Sequence, residues 1–158
     1  MGCLKVQGKT HMVTGSALGA VAAAQGIIEP TMFNAVVVIV ASVLPDIDKR
    51  RSTASKKVIL PIHLFFKHRG FTHSLVGGFI FLLLLSMFLK NMWVPFIVGF
   101  MAHIIPDMLT THGIKLFWPM KVTVRFPFTC ATGSIEEWMF SVMMAVVLLV
   151  NLGDALGL

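Results

Sequence analysis

His103 and Asp107 stand four residues apart inside an otherwise apolar run. A helix puts both on one face, with β-carbons roughly 5–6 Å apart, a spacing suited to ligating one metal or two neighbouring metals. Ionisable residues in such a run are costly and generally functional. Asp46-Ile47-Asp48 follows Pro45, which predicts a non-helical turn with two carboxylates aimed at one region. In Arg69-Gly70-Phe71-Thr72-His73-Ser74, glycine permits a sharp turn and Ser74 is a helix N-cap. The helix that follows favours an anionic ligand at its start, and Arg69 can bind a phosphate bidentately. His11, His68 and His73 each stand near the start of an apolar run. Mixed imidazole and carboxylate groups suit a divalent metal, zinc by preference, with manganese or iron compatible.

Each of these features has a plainer reading. His103 and Asp107 can simply hydrogen-bond. Asp46 and Asp48 can belong to an ordinary turn, and His63, His68 and His73 can be interfacial histidines. His112 and the pair Glu136 and Glu137 are open between site and interface. Cys3 and Cys130 give neither a disulfide framework nor a Cys-x-x-Cys knuckle. The eleven methionines follow no repeated motif and read as packing. The joint pattern of histidines and aspartates is what favours a site.

The elements that must position these groups are apolar. Of the 158 residues 56% are hydrophobic and 13% charged, with a mean hydropathy of +0.86. A soluble core of this size could not bury so much apolar surface, so the expectation is an all-α, polytopic transmembrane helical bundle of about four to five spans. The predicted segments are Met12 to Ile28, Thr31 to Leu44, Leu75 to Leu89, Met92 to Thr111 and Ile135 to Leu152. Several fall short of the roughly 20 residues a full span prefers, and the first two could form a re-entrant pair. The small residues of the first segment predict a helix packed inside the bundle.

Of thirteen basic residues, only Lys90 falls in a loop on the far side. The others share one side, which the positive-inside rule makes cytoplasmic, with the N-terminus there and the C-terminus outside. His11, Asp46, Asp48, His68, His73, His103 and Asp107 then lie at that cytoplasmic level. The chain reads as a single membrane-embedded domain, residues 1–158. A cytoplasmic loop at 46–73 carries site motifs, and a second at 113–134 forms a short hairpin or lid at the membrane surface. The bases sit in gaps between apolar runs rather than on a recognition module, so no nucleic-acid partner is expected despite a net charge of +6.

Thr10-His11 with Gly15, Leu44-Pro45-Asp46-Ile47-Asp48, His68-Arg69-Gly70-Phe71-Thr72-His73-Ser74, and His103-x-x-x-Asp107-x-x-Thr110 with Gly113 resemble the YdjM-like inner-membrane metal-dependent hydrolases. Leu116-Phe117-Trp118-Pro119 also resembles that family's segment after the fourth helix. The family is similar, more distantly, to the zinc-dependent phospholipase C and P1 nuclease group, which hydrolyses phosphodiesters on a cluster of zinc ions. The resemblance implies metal ligands at His11, Asp46 or Asp48, His68 or His73, His103 and Asp107. The last apolar segment has no second His-x-x-x-Asp/Glu, which points to one or two ions rather than three.

The functional expectation is a multi-pass hydrolase of the bacterial inner membrane, acting on a phosphoester such as a phospholipid through metal-activated water. Asp46 or Asp48 would bridge metals or act as general base, with Arg69 neutralising the phosphate. The bilayer is the expected partner; oligomeric state is open. The alternatives are a divalent-metal transporter or metal-sensing membrane protein, and a non-catalytic membrane protein with a structural metal. A transporter usually brings its ligands to the bilayer midplane, whereas these cluster at one face.

Overall fold

Each of the five apolar segments forms a helix, and three of them start on a side-chain cap. The computed structural model describes residues 7–48, 70–127 and 134–157. Within these lie α1 (Gln7–Ala24), α2 (Met32–Val43), α3 (Leu75–Ser86), α4 (Trp93–Met108) and α5 (Ile135–Leu156). The described residues contain no β-strand, only an isolated antiparallel bridge between Ile114 and Val124. Thr31, Ser74 and Ser134 accept hydrogen bonds from the backbone N–H groups of Asn34, Gly77 and Glu137, each satisfying a donor that a helix start leaves without a partner. The cap expected at Ser74 is present.

Several predicted boundaries shift, with α3 ending at Ser86 rather than Leu89 and α5 running on to Leu156 rather than Leu152. α1 begins at Gln7 and ends at Ala24, so His11 lies within the helix rather than before it. Gly26, with φ +70°, closes this helix ahead of Glu29-Pro30, because glycine takes the left-handed conformation without a Cβ penalty. α4 stops at Met108 rather than Thr111. Pro106 lies in its last turn, where the missing N–H and the proline ring weaken the helical ladder. Helix α2 ends at Val43, one residue short of the expected Leu44, and the chain continues through Pro45 in a 3₁₀ turn over Leu44–Asp48. A second short 3₁₀ turn, Phe71–His73, leads into α3.

Helix α1 packs against α2, α4 and α5, while α2 and α3 both pack on α4. Small residues set these distances, as expected for α1. A methyl group at Gly15 would collide with Ser42 of α2, and one at Gly99 would collide with the Val38 carbonyl and with Ala41. Such close approach is the way helices associate where hydrophobic burial alone gives no drive. Val37, Ala41, Phe96, Phe100 and Ile104 form the main core between α2 and α4.

The outer surface is apolar too. Phe33 and Val36 on α2, Phe79 and Leu83 on α3, and Trp93 and Ile97 on α4 are exposed. Among the described helices only α5 is long and apolar enough to cross a membrane by itself, over Ile135–Ala155, and none of that stretch is buried. Helices α2 and α3, at 12 residues each, rise about 18 Å at 1.5 Å per residue, against a hydrocarbon core of about 30 Å.

Candidate metal centre

Four separate segments deliver five chemically active side chains to one buried point. His11 comes from α1, Asp46 from the 3₁₀ turn after α2, His73 from the turn before α3, and His103 and Asp107 from one face of α4. None is more than 3% exposed. The Asp107 carboxylate stands at the centre: Oδ1 lies 3.5 Å from His11 Nε2, and Oδ2 lies 3.3 Å from His73 Nε2 and 3.5 Å from His103 Nε2. Asp46 Oδ1 lies 3.6 Å from His73 Nε2 and 3.9 Å from His103 Nε2. The His11 and His103 rings stack with centroids 3.9 Å apart, and His73 meets His103 edge-on at 5.0 Å.

The His103 tautomer follows from its backbone partner. Nδ1 lies 2.7 Å from the Ser42 carbonyl oxygen. A carbonyl only accepts, so Nδ1 carries the proton. In the neutral ring Nε2 is then a bare lone pair, facing the oxygens of both aspartates. That buried nitrogen makes no hydrogen bond, and neither does Nδ1 of His11. Buried polar atoms are nearly always paired, so the bare His103 Nε2 beside carboxylate oxygens is a place that a cation would complete. Two triads have ligand atoms within 4.8 Å of one another: His11, His103 and Asp107, and Asp46, His73 and His103. They share His103, and Asp107 turns one oxygen to His11 and the other to His73 and His103. The donor set therefore fits one or two divalent ions.

Of the residues expected from sequence, His11, Asp46, His73, His103 and Asp107 come together. Asp48 closes the 3₁₀ turn, and its side chain lies outside what is described, as do His68, Arg69 and His63. His112 does not join the cluster. It is exposed beyond the end of α4, beside the Thr111 hydroxyl. Glu136 is exposed as well. Glu137 reaches the neighbourhood from α5: its carboxylate accepts a hydrogen bond from Thr10 at 3.1 Å, and Ser141 donates to the same threonine oxygen at 3.1 Å.

Two supporting groups were not singled out from sequence. The Thr72 hydroxyl lies 2.9 Å from His73 Nδ1, the kind of outer partner that orients a ligating imidazole. Its signal was adjacency to His73. The Ser42 carbonyl has no sequence signal, because any residue offers one.

A helical chain with an apolar exterior and a buried histidine–aspartate centre is a membrane protein carrying a prospective metal site. It belongs to the YdjM inner membrane protein family, whose pattern matches residues 6–155. It is 33% identical over 135 residues to the uncharacterized protein YvsG of Bacillus subtilis (strain 168), covering 82% of this chain and 84% of that protein. It is 37% identical over 101 residues to the inner membrane protein YdjM of Escherichia coli (strain K12), covering 56% of this chain and 50% of that protein. The YdjM of Shigella flexneri matches to the same extent. The match thus spans half the length of these YdjM proteins. No solved structure matches the chain. Neither the family nor these relatives speaks to the likeness to the phospholipase C and P1 nuclease group.

Proposed function

We propose that this protein is a multi-pass metal-dependent hydrolase of the bacterial inner membrane, acting on a phosphoester such as a phospholipid head group. The observation that carries the reading is the His103 tautomer, which turns an unprotonated nitrogen toward two carboxylates in a buried site. Family membership supports the inner-membrane location. The exposed apolar faces of α2, α3 and α4 support membrane contact by more than α5, with local bilayer thinning matching the shorter helices. The bases on one side support a cytoplasmic N-terminus.

His11, Asp46, His73, His103 and Asp107 would hold the metal. A bound divalent cation, zinc by preference with manganese or iron as alternatives, supplies a Lewis acid for a phosphoryl oxygen and lowers the pKa of water toward 7. The chain's own residues do the rest. The Ser42 carbonyl and Thr72 hold two imidazoles in orientation. Asp48, two residues beyond Asp46, would accept a proton from water, and Arg69, directly before Gly70 in the sequence, would neutralise the phosphate.

A second reading, a metal that only holds the fold, is favoured by the complete burial of His73 and His103. Metal content of the purified protein, combined with a phospholipid and phosphodiester turnover screen in detergent and liposomes, separates the two. The expected result is one or two ions per chain, with Arg69→Ala keeping the metal and losing most turnover. Metal without turnover of any substrate leaves the structural reading. Metal flux across liposomes without turnover leaves a transporter.

A further inference from the structure

A wholly apolar groove runs along α2. Helices α2 and α3 both rest on α4 and leave a groove between them, with a cavity of about 140 Å³. Its walls include Val36 and Val40 on α2, Leu44 just past its end and Leu85 on α3, and Met92 and Phe96 form part of its floor. Val36 and Val40 are each 53% exposed on the rim, whereas Met92 and Phe96 are buried. The groove is therefore open sideways along α2. Leu44 marks the end nearest the metal centre, two residues before Asp46.

From this geometry we infer that the groove seats one acyl chain of a membrane lipid whose head group lies at the metal centre. The inference rests on the hydrolase reading and names its substrate class. Three features select this occupant. Every lining side chain is hydrocarbon or thioether, so a peptide or a sugar would leave its polar groups without partners. The lining runs along α2 from Phe33 to Leu44, about 16 Å at 1.5 Å per residue, and one leaflet's hydrocarbon is roughly 15 Å deep. The rim residues Val36 and Val40 belong to an exposed apolar face, where bilayer hydrocarbon is the surrounding phase. A chain lying along α2 would bring its glycerol end to Leu44, and so its phosphoester to the aspartates.

The test uses the full-length protein in nanodiscs doped with a phospholipid that carries a diazirine on one acyl chain. After photolysis, labelled peptides are mapped by mass spectrometry. Labelling should concentrate on the segment from Val36 to Leu44 and on Leu85 to Met92. Val40→Trp fills the groove from its exposed rim, leaves the α2–α4 packing alone, and should abolish that labelling. Val146→Trp, on the exposed face of α5, should leave it unchanged. Labelling spread evenly over α2 and α5 and insensitive to Val40→Trp would overturn the inference. Should water-soluble phosphodiesters be turned over with no groove labelling, the hydrolase reading stands and the lipid assignment fails. Groove labelling with no turnover of any phosphoester keeps the lipid site and removes the hydrolase.

Discussion

Helices α4 and α5 have similar apolar compositions and opposite situations. Nine of the sixteen residues of α4 are buried, two of them the proposed ligands His103 and Asp107. None of the Ile135–Ala155 stretch of the 22-residue α5 is buried, and its partner in the bundle is α1. Apolar character alone therefore does not say what a helix is for. In α4 it surrounds a polar centre and keeps water from it. In α5 it faces outward, where only lipid makes an exposed Trp138, Val146 or Leu149 favourable.

The sharpest way to break this contrast is to remove the polar centre of α4. His103→Ala and Asp107→Asn should each abolish stoichiometric metal binding, because His103 belongs to both triads and Asp107 faces three imidazoles. Elemental analysis of purified protein measures this, and full occupancy in the double variant would refute the site. On the α5 side, Val146→Arg should cost about 2.5–3.5 kcal/mol if that face meets the bilayer centre. A water-facing helix would shift by no more than about 0.5 kcal/mol. Membrane-insertion yield and thermal stability in lipid read the difference.

Smaller effects refine the comparison. Chelation should lower the melting temperature of wild-type protein, by the equivalent of about 2.7 kcal/mol if the metal had been held at a hundredfold over its Kd. The same treatment should leave the His103→Ala protein unmoved. Gly99→Val should destabilise by about 1–3 kcal/mol through the collision with α2, readable as a thermal shift. Thr72→Val should lower metal affinity about 10–100-fold without changing the fold, as loss of an outer partner does. Glu137→Gln keeps the geometry of the Thr10 contact and should change metal affinity least of all.

Much of this arrangement was legible because polar residues in an apolar chain have few places to go. The helix faces of His103 and Asp107 follow from their spacing, and the levels of His11, Asp46 and His73 follow from chain direction. The start of α1 was hidden because Gln7, Gly8 and Lys9 carry no apolar signal, yet they complete its first turn. Its end was hidden because Gly26 and Pro30 are both plausible stops, and the glycine acts first. His112 was left open because the fourth apolar run continues past the point where Pro106 weakens the helix. The carbonyl that fixes the His103 tautomer belongs to the backbone, and side-chain identity cannot announce it. The number of spans depends on bilayer thickness as much as on the chain, so a 12-residue helix does not declare it.

One contact made in passing also has an optical consequence. The Trp118 indole meets the Phe71 ring edge-on at 5.3 Å, and Phe71 opens the short turn that ends in His73, a proposed ligand. The backbone ties the same loop to the start of α3 through Leu75 and Leu116, and to the end of α4 through Phe126 and Met108. Trp93 and Trp138 point outward, each about 60% exposed. Trp118 is thus the chain's internal fluorophore for its own centre. Its emission should respond when an ion tightens the His73 turn, while the two outward tryptophans keep reporting only the surrounding lipid.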